Sequence, residues 1–125
     1  MIGSDLLKGS LRTIILKLLQ EEGPTHGYAL TRRVEEITNG KIKLTYGALY
    51  PLLHKMESEK VLVTAREIRN NRIRVYYSLT DKGHSVAREK VKEMIEFIKS
   101  LQLIIEIKPG VNYARSEERR VGKEC

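Results

Sequence analysis

Leu11, Ile14, Ile15, Leu18 and Leu19 recur at the spacing that places apolar side chains on one face of an α-helix. Gly23-Pro24 closes that helix, because glycine reaches left-handed conformations and proline cannot continue the hydrogen-bond ladder. Thr25 can cap a second helix to about Asn39, with Leu30, Val34 and Ile37 as its apolar stripe and Gly40 as its end. After the stretch KIKL, Thr45 can cap a third helix that reaches about Lys60.

The period then falls to two. In RIRVYYSL, Ile73, Val75, Tyr77 and Leu79 alternate with Arg72, Arg74, Tyr76 and Ser78, which predicts a half-buried strand with one basic and aromatic face. Leu62, Thr64, Arg66 and Ile68 form a rougher partner strand. Asn70-Asn71 separates the two, and asparagine tolerates the left-handed conformations of a tight hairpin. A long final helix begins near Thr80 or Asp81. Its residues Ala87, Val91, Met94, Ile98, Leu101 and Ile105 step by four and three alternately, as in a heptad seam. Ile95 and Ile104 widen that stripe beyond what one small core needs; the helix either packs on its own domain or, as its length past the three-helix body favours, makes a subunit contact.

The third helix is unusual. TYGALYPLLHKME keeps Leu49, Leu53 and Met56 in helical register, yet contains Gly47, Pro51, two tyrosines, a histidine and a lysine. If regular helix starts near Ala48, Pro51 falls in the first turn, where its missing N–H costs little. If it starts at Tyr46, Pro51 removes one internal hydrogen bond. Gly47 would let the helix start approach a phosphate or a neighbouring backbone closely.

Three helices followed by a basic hairpin describe a winged helix-turn-helix, a mostly α fold with a small β-hairpin (α+β), extended here by a C-terminal dimerisation helix. In that arrangement the third helix enters the DNA major groove and the hairpin lies on the adjacent backbone or minor groove. Leu49, Leu53 and Met56 would face the core, and Lys43, Thr45, Tyr46, Tyr50, His54 and Lys55 would face the nucleic acid. The division predicted is residues 1–80 for DNA binding, 81–108 for the final helix and 109–125 for a disordered tail.

Composition agrees with one soluble domain: 125 residues, 41% hydrophobic and 31% charged. The net charge of +7 points towards polyanionic partners, and it is concentrated. Arg66, Arg69, Arg72 and Arg74 stand against Glu67 alone in nine residues. No apolar run suggests a membrane span, and the start MIGSDLLKGS lacks a secretory pattern, so a cytoplasmic location is expected. The lysines of the final helix are interleaved with glutamates, which argues against a membrane surface. Cys125 is the single cysteine and the last residue, so no disulfide framework is expected.

The last eleven residues, RSEERRVGKEC, follow the Pro109-Gly110 break without hydrophobic periodicity. They resemble the translation of a sequencing adapter, and residues 115–125 are therefore expected to be non-native. Removing their four basic and three acidic residues lowers the net charge from +7 only to +6. Catalysis has little support. His26, His54 and His84 lie in separate elements without metal-ligand spacing and read as surface or capping groups. No Gly-rich phosphate loop follows a strand, so neither metal nor cofactor is expected.

KGSLRTIILKLL, GPTHGYAL, GALYPLLHKME and RVYYSLTDKG occur in that order between residues 7 and 83. With these motifs the chain resembles the PadR family of transcriptional regulators, and its length to Gly110 suits the short subfamily with one C-terminal helix. It departs from the family at Lys60, where glycine is frequent, and at Ala48, where many members carry threonine. The resemblance implies a homodimeric repressor on a palindromic double-stranded operator, with half-site centres roughly 34 Å apart or a multiple of that. The final helix would pack on the partner subunit's first and final helices, which assigns Leu7, Leu11, Ile15, Ala87, Val91, Met94, Ile98, Leu101 and Ile105 to dimerisation. It also implies a small aromatic or lipophilic effector, held by Met94, Phe97, Ile98 and Leu101 with Leu7, Leu11 and Ile15; plain dimer packing is the simpler use of those residues. With no tryptophan, paired indoles cannot form the slot.

Individual side chains carry alternatives. Tyr28 contacts a phosphate or caps the core beneath the second helix. Tyr50 is expected to pack its ring on the core with the hydroxyl outward, while Tyr46 and His54 are expected to face DNA. Arg69, Asn70, Asn71, Arg72 and Arg74 are expected on the DNA backbone or in the minor groove, the alternative being an ordinary charged hairpin. The competing function is a winged-helix module that binds a protein instead of DNA, which salt-dependent binding to duplex DNA would separate from the first.

Overall fold

The computed structural model describes residues 2–105. Their order is α1 (Ser4–Lys8), α2 (Leu11–Glu22), α3 (Gly27–Ile37), α4 (Tyr46–Ser58), β1 (Leu62–Arg69), β2 (Arg72–Leu79) and α5 (Asp81–Ile105). This is the winged helix-turn-helix expected, with a two-stranded antiparallel wing and a long last helix. Residues 2–93 form one compact unit, and Met94–Ile105 of α5 belongs to a second. The expected tail and its adapter-like end lie outside the described residues.

The core of the first unit gathers Leu11, Ile15, Leu16, Leu18 and Leu19 of α2 with Leu30 and Val34 of α3 and Leu49, Leu53 and Met56 of α4. Val61 of the turn after α4, Leu62 and Tyr77 of the wing and Ala87 of α5 close it. The one element missed in the pattern is α1. None of its five residues is fully buried and only Leu7 rests against the core, so it leaves no periodicity to read.

Capping differs from the expectation at α3. Thr25 does not cap it. Its N–H and carbonyl are both bonded to Tyr77 of β2, at 3.0 and 2.7 Å, as a one-residue third strand. The next residue, His26, takes the cap by accepting the Ala29 N–H on Nδ1 at 3.2 Å. Thr45 caps α4 through the Ala48 N–H, so the helix starts at Tyr46 and Pro51 lies inside it. Of the two readings of Pro51, the one that costs an internal hydrogen bond is realised, and Gly47 is the residue whose carbonyl goes without that partner.

The end of α4 is a Schellman turn in which the Val61 N–H reaches Met56 O and the Lys60 N–H reaches Glu57 O. Lys60 occupies its left-handed position at φ 67°. Replacing it with glycine removes the steric cost of that conformation but adds chain entropy to the unfolded state. We expect Lys60→Gly to stabilise the fold by about 0.5–1 kcal/mol, read as a higher urea midpoint at unchanged slope.

The wing pairs Leu62 with Leu79 through Arg69 with Arg72. Asn70 and Asn71, at φ 52° and 62°, form the two-residue left-handed turn anticipated for them. The strand was expected to be half-buried along its length, and this is corrected at the tip. Tyr77 is buried and Val75 and Leu79 are partly covered, but Ile68 and Ile73 are 75% and 62% exposed. The hairpin outruns the core that its alternation was read as facing.

Candidate nucleic-acid interface

The start of α3, the exposed side of α4 and the wing meet along one cleft of about 910 Å³. His26 and Tyr28 line it from α3, Tyr50 and His54 from α4, and Arg69, Asn70, Arg72, Ile73, Arg74, Val75 and Tyr77 from the wing. Along α4 the rings of Tyr46, Tyr50 and His54 follow one another at the four-residue spacing of a helical face, with centroids 5.7 and 6.4 Å apart. Tyr46 and His54 are exposed, as expected of residues that face a ligand.

Tyr28 is 52% exposed, so it does not cap the core. Arg32, one helical turn on, donates a 3.1 Å hydrogen bond to its hydroxyl and sits 5.9 Å from its ring centre. Arg32 was not foreseen as part of this surface, although its spacing from Tyr28 is a usable signal. The ring of His26 lies parallel to Tyr28 and edge-on to Tyr76, 5.5 Å away. Burial first, then the Arg74 charge, lower the His26 pKa. That favours the neutral imidazole, the form whose Nδ1 can accept the capping N–H.

Tyr50 corrects an expectation. Its ring does rest against the core, but the hydroxyl is turned to α3 instead of outward. A Cβ built on Gly27 would stand 2.3 Å from that oxygen and 2.6 Å from Cζ. Glycine at position 27 therefore makes the room in which the aromatic row is seated. In Gly27→Ala the ring must swing away, and the lost packing is offset by alanine's helix preference of up to about 1 kcal/mol. Stability should change by less than about 1 kcal/mol while affinity for duplex DNA falls by about tenfold, seen by comparing thermal melts with gel shifts.

The charges divide into engaged and available groups. Lys43 is 3.7 Å from Glu35, and Arg69 is hydrogen-bonded to Glu67, which raises its pKa. Among the described residues, no carboxylate pairs with Lys55, Arg66, Arg72 or Arg74. Thr45 spends its hydroxyl on the α4 cap. Of the residues expected at DNA, Tyr28, Tyr50, His54, Arg69, Asn70, Arg72 and Arg74 line the cleft, whereas Lys43, Thr45, Tyr46, Lys55 and Asn71 lie outside its lining.

The model of the transcriptional regulator PadR-like family matches residues 15–89. The chain belongs to the PadR-like family. A transcriptional regulator from Clostridium thermocellum is 25% identical with a TM-score of 0.74, covering 86% of this chain and 100% of that one. A PadR family regulator from Eggerthella lenta is 28% identical with a TM-score of 0.69, covering 83% and 88%. The transcriptional regulator YqjI of Escherichia coli is 32% identical over 90 residues, 72% of this chain, which spans only 41% of that protein's length.

In this PadR-like chain several residues expected at a subunit or effector contact are used elsewhere. Leu11, Ile15 and Ala87 are 6%, 0% and 0% exposed and belong to the chain's own core, so they offer almost no surface to a partner or ligand. Leu7 packs against that core and is half-buried. Val91, Met94 and Leu101 are partly buried, and Phe97, Ile98 and Ile105 are exposed. Among the described residues no group of three acidic, histidine or cysteine side chains could hold a metal, and no helix is long and apolar enough to cross a membrane.

Proposed function

We propose that this PadR-like regulator binds duplex DNA in a sequence-specific manner, as a cytoplasmic homodimeric repressor released by a small aromatic or lipophilic compound. The observation that carries the DNA reading is the single cleft that joins the aromatic face of α3 and α4 to Arg72 and Arg74 of the wing. Available guanidinium groups beside a helix face of rings and polar tips supply two kinds of contact. Arginines on phosphates give affinity without sequence information, and α4 side chains on base edges give discrimination.

The apolar surface of Met94–Ile105 supports the dimer and effector parts of the reading. Ile95, Phe97 and Ile98 are about half-exposed, and Leu103, Ile104 and Ile105 are 62% exposed or more. A palindromic operator follows if two copies pair through this segment about a two-fold axis.

The division of labour is tested with fragments of the source genome retained by the protein. Arg72→Ala should weaken binding to retained and random duplexes alike and reduce the slope of log affinity against log salt by about 1. His54→Ala should instead narrow the ratio between them. Equal responses of specific and random DNA to both variants would overturn the assignment, and no retention of DNA at low salt would favour a protein-binding wing.

A further inference from the structure

Ile68 and Ile73 stand directly opposite each other at the tip of the wing, 75% and 62% exposed. Isolated apolar residues on a surface need no explanation. Here two form a cross-strand pair beyond the reach of the core, on the strand face that carries Arg66 and Val75. Arg69 and Arg72 form the next rung and Asn70-Asn71 the turn beyond it, a left-handed turn that fixes the direction of the tip. The pair is thus an apolar point inside a cationic collar, and Ile73 also lines the cleft.

We infer that the Ile68–Ile73 pair is a wedge that enters the minor groove of duplex DNA and partly unstacks a base step there. The occupant is set by charge complementarity: a wing whose Arg66, Arg72 and Arg74 have no carboxylate partner among the described residues is drawn to phosphates on both sides of a groove. β-branched side chains between those phosphates then meet sugars and base edges instead of water. Apolar wedges between base steps kink duplexes towards the major groove, and the cost depends on how flexible the step is. The wing would therefore read deformability at positions that α4 does not touch. This inference rests on the DNA reading above.

The test uses the full chain and duplexes selected by it from a random 40-base-pair pool, carrying fluorophores at both ends. The wild type should shorten the end-to-end distance by an amount equivalent to a bend of roughly 20° or more. Ile68→Thr with Ile73→Thr keeps strand-forming, β-branched side chains. It should abolish most of that bend and the preference for flexible steps under the wing, while leaving the salt slope and the circular dichroism spectrum unchanged. Arg66→Ala with Arg72→Ala, two arginines without a carboxylate partner among the described residues, should lower the slope by about 2. Unchanged bending and step preference in the threonine variant would overturn the wedge and leave the DNA reading standing. A fall in subunit association in that variant would also overturn it, by making the pair a contact between copies. Failure of the wild type to select any duplex would overturn both readings together.

Discussion

Gly83→Ala lowers stability by about 2–3 kcal/mol, and the melting temperature by roughly 10 °C or more, without altering the DNA-facing residues. A Cβ on Gly83 would lie 2.1 Å from the Val61 carbonyl oxygen and 3.2 Å from Cβ and Cδ2 of Leu79. That carbonyl cannot retreat freely. It accepts the Thr80 N–H at 3.1 Å, and the Thr80 hydroxyl lies 3.2 Å away while accepting the Gly83 N–H at 2.9 Å. Alanine gains up to about 1 kcal/mol of helix preference, which is too little to offset displacement of backbone at the junction of α4, the wing and α5. Urea denaturation of the variant measures the difference; a midpoint within error of the parent would show that the α5 start shifts at no cost.

Ile98→Lys is expected to convert a dimer into single subunits and to weaken binding to a two-half-site operator by about 100-fold or more. Ile98 is 47% exposed and sits beside Phe97 at 55%, so a lysine there does not disturb the chain's own core. In a paired seam it would place a charge where apolar surface is buried on both copies, and two such charges would face each other across the axis. Sedimentation separates the outcomes. A variant that still sediments as a dimer removes Met94–Ile105 from the subunit contact, whereas a single subunit that keeps full operator affinity removes the requirement for pairing.

Much of the fold was legible because apolar spacing is a local record of what each element buries. Leu11, Ile15, Leu18 and Leu19 did form the buried face of α2, with Leu16 added and Ile14 only half-buried, and Leu49, Leu53 and Met56 form that of α4. The hairpin turn at Asn70-Asn71 was legible for a different reason, the tolerance of asparagine for left-handed backbone. The misreadings come from places where the deciding partner is distant in sequence. Thr25 looked like a cap, but Tyr77 claims its backbone on both sides. Tyr50 was expected to turn its hydroxyl outward, and the gap over Gly27 decided otherwise. Periodicity could not say where the core ends, so Ile68 and Ile73 read like Tyr77.

For this protein the chain alone determined the order of three core helices, a basic two-stranded wing and a long apolar-striped helix, since period and turn chemistry act within a few residues. Only the tertiary structure decided which arginines stay free of carboxylates, which tyrosine is held by a missing Cβ, and which isoleucines remain bare. Those properties depend on what lies across a gap from a side chain, and no local pattern encodes the far side.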